Sequence, residues 1–112
     1  MNKFDDIKTA ILGKSYDLSI AFVTPAISKN LNKKFRGKNK PTNILSFPLS
    51  SKSGELILCK DVIRKDAPLF NLNYSKFLSY LVIHGLLHLK GMQHGSKMEI
   101  AEKKFCKKFG II

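Results

Sequence analysis

Residues 74–90 constrain the fold more than any other stretch of this chain. Phe77, Leu78, Leu81, Val82, Leu86 and Leu89 recur at helical spacing, and Gly91 stands where such a helix would end. The other elements are shorter. Phe4, Ile7, Ile11 and Leu12 predict a helix over 4–12 that Gly13 closes. Residues 16–23 alternate apolar with small or polar groups, as a strand does. Thr24 and Pro25 suit an N-cap and a first helical position, opening a basic amphipathic helix over 25–36. Ile27, Leu31 and Phe35 lie on one side of it, and Gly37 breaks it. Residues 44–47, bounded by Pro48, predict a short strand. Residues 50–54 carry turn chemistry, and 55–60 predict a second strand, close enough to form a hairpin with the first. Asp61 begins a helical stretch that Pro68 stops. Residues 97–109 predict a last helix with Met98, Ala101, Phe105 and Phe109 inward. The order is α-β-α-β-β-α-α-α. The expected fold class is α/β (α+β), a small mixed sheet of three to four strands covered by helices, in one domain over residues 1–112.

Composition narrows the function. No apolar run approaches the roughly 20 residues of a membrane span. Asp5 and Asp6 stand where a signal peptide would begin its apolar stretch, so export is not expected and a cytoplasmic location is. Cys59 and Cys106 are too few for a disulfide framework and are expected to be inert core thiols. The 112 residues hold 20 Lys+Arg against 8 Asp+Glu, a net charge of +12. A Lys-rich bias accounts for 18 Lys against 2 Arg, but not for the shortage of acids. No carboxylate lies between Asp17 and Glu55, and that gap holds Lys29, Lys33, Lys34, Arg36, Lys38 and Lys40. A second basic group, Lys97, Lys103, Lys104, Lys107 and Lys108, lies near the C-terminus. The pattern predicts a nucleic-acid partner in preference to an acidic membrane, with a merely solvated face as the alternative.

All three histidines fall in one segment, His84-Gly85-Leu86-Leu87-His88-Leu89-Lys90-Gly91-Met92-Gln93-His94. His84 and His88 are four residues apart, so their rings share one helix face. His94 cannot join them on an unbroken helix, but a chain reversal at Gly91 lets it return as a third ligand. Three imidazoles and an open position form the ligand set of a catalytic zinc site, expected at the end of the long helix with one Zn2+ per chain. Three histidines that merely pack or cap are the alternative. Metalloproteases carry a Glu after the first His as general base, whereas Gly85 holds that place here. Residues 67–98 contain no acid, so the ion itself is expected to activate water. A cation, no neighbouring acid and a basic surround suit a phosphodiester better than a peptide.

With these residues in view, the chain resembles the YbeY family, the bacterial endoribonucleases of rRNA maturation. The histidine segment is similar to the family's His-Gly-x-Leu-His-Leu-x-Gly-Tyr-Asp-His. Residues 35–48, Phe-Arg-Gly-Lys-Asn-Lys-Pro-Thr-Asn-Ile-Leu-Ser-Phe-Pro, match its Tyr-Arg-x-x-x-x-Pro-Thr-(Asp/Asn)-Val-Leu-Ser-Phe-Pro. Gly54-Glu55-Leu56 is similar to its Gly-Asp/Glu-Ile/Leu strand. The chain departs from the pattern where Met92-Gln93 replaces Tyr-Asp. It is also shorter at its N-terminus, where the family's first strand and part of the first helix are expected to be missing. The resemblance implies a zinc-dependent, single-strand-specific endoribonuclease. It would act in small-subunit (16S) rRNA 3′-end maturation and ribosome quality control, with RNA as partner and neither DNA nor membrane. It also implies that Arg36, where the family's conserved Arg falls, is catalytic.

Arg36 is also one of only two arginines in a Lys-rich chain, which points independently to a planar, bidentate phosphate clamp; a surface Arg is the plain alternative. Lys33, Lys34, Lys38 and Lys40 are expected to bind RNA phosphates as a diffuse field. Thr42, Asn43 and Ser46 either line the cleft or cap a strand. Phe35, Phe47, Tyr74 and Tyr80 are candidates for base stacking, with core packing expected for most. Two other functions are consistent with the residues. One is a non-catalytic, ribosome-associated RNA-binding factor whose metal holds the last loop and helix. The other is a zinc hydrolase of a non-RNA substrate, against which Gly85 argues.

Overall fold

The computed structural model describes residues 3–111. Met1 and Asn2 of the acid-bearing start, and Ile112, lie outside the described residues. Among the described residues, nine elements follow one another. They are α1 (Lys3–Leu12), β1 (Asp17–Phe22), α2 (Pro25–Arg36), β2 (Ile44–Ser50), β3 (Ser53–Leu58), α3 (Lys60–Asp66), a 3-10 turn (Ala67–Phe70), α4 (Tyr74–Leu89) and α5 (Ser96–Lys108). The strands form one mixed sheet in the order β1-β3-β2. β1 runs parallel to β3, from Asp17 opposite Ser53 to Phe22 opposite Leu58. β2 and β3 form the expected antiparallel hairpin. The mixed sheet under helices, with three strands among the described residues, is the expected class.

β2 does not stop at Phe47 as Pro48 suggested; it runs on to Ser50. Proline is tolerated because β2 is an edge strand, where one missing N–H need not break the ladder. Pro48 stands opposite Gly54, and the register shifts between Pro48 and Ser50 in a bulge. Pro68 likewise ends α3 without ending helical structure, since it sits in the first turn of the 3-10 segment.

α4 is the axis of the core. Phe77, Leu81, Val82, Ile83, Leu86 and Leu87 are all buried, so the helix is apolar nearly all round. The Asn73 side chain caps its start, accepting from the Lys76 N–H at 2.8 Å. One face of α4 lies on the sheet, and Ile7 and Ile11 of α1 and Met98 and Cys106 of α5 complete the same core. The helix packs closely on the sheet at Gly85. A Cβ there would lie 2.7 Å from Leu56 Cδ2, 2.8 Å from Ile44 Cδ1 and 3.0 Å from Ser46 Oγ. The residue after the first histidine therefore faces the sheet and has room only for hydrogen.

α2 departs from its amphipathic reading. Thr24 caps it and Pro25 starts it as expected, and Gly37 ends it in the left-handed region at φ 68°. Ile27 and Phe35, however, are 47% and 55% exposed, and the buried residues are Ser28 and Asn32. The Ser28 hydroxyl donates to the Thr42 carbonyl at 2.8 Å and accepts from the Thr42 N–H at 2.9 Å. Asn32 Nδ2 donates to the Lys40 carbonyl at 2.8 Å. The helix is fastened to the following loop through polar groups, because that loop's backbone would otherwise be buried without partners.

The fit at Gly85 generates a prediction. Gly85→Val forces a branched side chain against Leu56 and Ile44 and should lower stability by about 1–3 kcal/mol. A shift of the urea midpoint at unchanged slope measures it.

Candidate metal centre and cleft

The C-terminus of α4 builds the histidine cluster. The Gly91 N–H donates to the His88 carbonyl at 2.9 Å, and the Met92 N–H to the Leu87 carbonyl at 3.1 Å. This is a Schellman closure, with Gly91 at φ 102°. It reverses the chain, and His94 returns over the helix end. Its ring centroid lies 5.2 Å from that of His84 and 4.7 Å from that of His88. One ligand nitrogen from each ring lies within 4.8 Å of the other two. His84 and His88 are partly buried and His94 is exposed.

Hydrogen bonds on the far side of two rings fix which nitrogens converge. His84 Nδ1 donates to Glu102 Oε2 of α5 at 2.5 Å, and His88 Nδ1 donates to the Met92 carbonyl at 3.1 Å. A carboxylate and a carbonyl only accept, so each Nδ1 carries a proton, and in the neutral ring the lone pair is on Nε2. The two Nε2 atoms face one another at 3.1 Å. Two lone pairs that close repel unless a proton or a metal ion lies between them. Nitrogens bound tetrahedrally to one zinc-sized ion at 2.0–2.1 Å lie about 3.3 Å apart, so the donor set fits a metal ion. Burial, then the His84 ring, hold the His88 pKa below the ordinary histidine value, while the Met92 carbonyl works the other way. The net effect keeps His88 neutral, the form that ligates.

Glu102 corrects the expectation of a site without a neighbouring acid. Residues 67–98 are acid-free, but the carboxylate arrives from α5. It lies on the Nδ1 side of His84, away from the converging nitrogens, and so orients a ring. The signal for it in the sequence is its place on the inward stripe of the last helix, beside Met98 and Phe105. Burial and then the Glu102 charge push the Tyr80 hydroxyl up to about 12. Burial, again followed by Glu102, pushes the Cys106 thiol up to about 11, which suits the inert role expected of it.

The cluster opens into a cleft of about 650 Å³. Arg36, at the end of α2, lines it together with His84, His88 and His94. Thr42, Asn43 and Ser46 line it as well, and no lining residue is acidic. Asn43 Nδ2 donates to Asp66 Oδ2 at 3.2 Å, which ties the start of β2 to the end of α3. Lys33, Lys34, Lys38 and Lys40 are exposed beside Arg36 in the chain, but none is in the cleft lining. Of the aromatic candidates, Phe35, Phe47 and Tyr80 line the cleft. Tyr74 does not; its hydroxyl is buried and its ring lies under Arg64. Phe70, which no sequence motif singles out, joins the lining.

The Glu102–His84 hydrogen bond carries a prediction. Glu102→Gln should lower the affinity for a divalent transition metal about 10- to 100-fold. Competition with a chromophoric chelator measures this, and an unchanged circular dichroism spectrum separates it from unfolding.

The family described as Endoribonuclease YbeY matches residues 3–110. The Endoribonuclease YbeY of Wigglesworthia glossinidia brevipalpis is 36% identical over 110 residues, covering 87% of this chain and 72% of that one. That of Colwellia psychrerythraea is 37% identical over 110 residues, covering 88% and 71%. That of Thermotoga neapolitana is 34% identical over 104 residues, covering 92% and 69%. Among solved structures, the solution structure of TM1509 from Thermotoga maritima superposes with a TM-score of 0.67 at 30% identity, covering 95% of this chain and 78% of that one. With its fold, its histidine segment and its matched length taken together, this chain belongs to the YbeY endoribonuclease family.

Proposed function

We propose that this protein is a zinc-dependent endoribonuclease that cuts single-stranded RNA, with small-subunit rRNA in ribosome maturation as its substrate. The observation that carries the reading is the pair of facing Nε2 atoms on His84 and His88, with His94 beside them, in a cleft that also holds Arg36. The relatives' name supplies the reaction class, and the net charge of +12 suits a polyanion.

A zinc ion held by the three rings supplies Lewis acidity toward water and toward a phosphoryl oxygen. The chain's own residues do the rest. Glu102 holds the proton on His84 Nδ1, and the Met92 carbonyl holds the proton on His88 Nδ1, so both Nε2 atoms stay basic. The Arg36 guanidinium presents a planar fork to two phosphate oxygens and stabilises the negative charge that grows on them. Thr42, Asn43 and Ser46 offer short polar groups to the sugar and phosphate. Lys33, Lys34, Lys38 and Lys40 raise the local concentration of RNA without contacting the scissile group. Gly85 counts against a peptidase, because a Glu side chain in that position would collide with Leu56 and Ile44 of the sheet.

One observation favours a second reading, a non-catalytic factor with a structural metal: His84 is shared between the cluster and α5 through Glu102. His94→Ala separates the two, since His94 is exposed and contributes little to the core. The enzyme reading expects cleavage of single-stranded RNA to be lost while RNA binding and the thermal midpoint are kept. Unfolding as the sole consequence would favour the structural role. Arg36→Gln should lower kcat by about 10²- to 10³-fold with the fold intact, measured on a single-stranded RNA at saturating concentration. Metal analysis of untagged protein should give about one equivalent of zinc; less than about a tenth would sink the ligand assignment.

A further inference from the structure

Phe70 is half exposed and lines the cleft, and it is held there rather than left loose. The 3-10 turn Ala67–Phe70 ends at Asn71, the only non-glycine with positive φ among the described residues (φ 55°). The Asn71 N–H is returned to the Ala67 and Pro68 carbonyls, which locks the turn. One side of the Phe70 ring is stacked on Phe77 with centroids 4.7 Å apart and planes at 27°. Phe77 is fully buried, whereas Phe70 stays 51% exposed. A ring backed by the core and open on its other side is a platform. Tyr80 bridges it to the histidine cluster. Phe70 to Tyr80 is 6.0 Å between centroids, and Tyr80 to His84 is 6.3 Å. A second exposed ring, Phe35, lines the same cleft, steadied edge-on by Phe47 at 5.1 Å.

We propose that Phe70 and Phe35 are stacking platforms for unpaired nucleobases on either side of the phosphate that Arg36 and the histidines address. The inference rests on the RNA-cleaving function proposed above and names what makes that site select single strands. Every nucleobase has a π-face, so stacking captures bases with little regard to sequence, but a base already paired in a duplex has no face to give. The absence of carboxylates from the lining leaves the strand's phosphates unopposed while its bases stack. Single-strand preference is then a property of two phenylalanines rather than of the metal.

The test compares a single-stranded oligoribonucleotide with an abasic strand of equal length, both bound to the His94→Ala protein so that neither is cut. The base-bearing strand should bind roughly 5- to 150-fold tighter for each stacked base. Phe70→Leu keeps apolar bulk but loses the π-face. It should weaken the base-bearing strand about 5-fold or more and leave the abasic strand unchanged, with Phe35→Leu adding to the loss. In the zinc-loaded wild-type background, Phe70→Leu should raise KM for a single-stranded substrate with kcat within about twofold. Leu69→Ser is the control, because Leu69 is 78% exposed next door but is not in the cleft lining. Equal binding of the two strands, or Leu variants that weaken both alike, would overturn the stacking assignment while leaving RNA cleavage standing. A loss on Leu69→Ser equal to that on Phe70→Leu would overturn it too and point to a protein partner on an apolar patch. A wild-type protein loaded with zinc that cuts no RNA overturns the proposed function and this inference with it.

Discussion

Two glycines let the central helix lie flat on the sheet, and the position of the site follows from that contact. Gly85 on α4 faces Ile44 and Leu56, and Gly54 on β3 faces Leu89 one turn further along the same helix, where a Cβ would lie only 2.9 Å from Leu89 Cδ2. Each removes a side chain where the other layer would collide with it. A buried helix at this distance has no freedom to roll, because interiors are packed as densely as organic crystals. His84 and His88 are thereby set at a fixed height above β2, and the residues of β2 become a wall of their cleft. A larger residue at either glycine would lift α4 and widen the cleft before it touched any ligand atom.

The other wall is held differently. Arg36 ends a helix whose buried contacts are the Ser28 hydroxyl and the Asn32 amide, both on the loop that leads into β2. Hydrogen bonds to backbone are directional and saturable, whereas apolar contacts are not, so they fix a register where hydrophobic packing would only fix a neighbourhood. The chain thus presents Arg36 on an arm indexed to β2, with little apolar area involved. Ile27 and Phe35 stay at the surface as a result.

Element order, caps and the hairpin are legible in the sequence because they depend on local chemistry. Thr24-Pro25 opens a helix, Gly37 and Gly91 reverse the chain, and apolar spacing over 74–90 marks the axis of the core. The grouping of the three rings is legible for the same reason, since a four-residue spacing and one helix-ending glycine determine it. What the sequence hides is non-local. The inward face of α2 escapes it because apolar periodicity does not reveal polar residues that bury themselves on a loop. Pro48 reads as a strand end because only the strand order shows that β2 is an edge. Glu102 and Phe70 reach the site from outside the histidine segment, and only the packing of α5 and of the 3-10 turn brings them in.

The hydrogen bond between Glu102 and His84 also joins two equilibria. α5 carries the carboxylate, so the seating of the last helix and the alignment of the first ring form a single event. Linkage is reciprocal: an ion that binds more tightly when α5 is seated must, by the same factor, make α5 harder to detach. For any ion held by the three rings, amide hydrogen exchange along residues 96–108 would gauge occupancy, and affinity would gauge the order of α5. Local opening of that helix, ordinarily among the cheapest motions of a small domain, would carry the cost of dismantling the cluster.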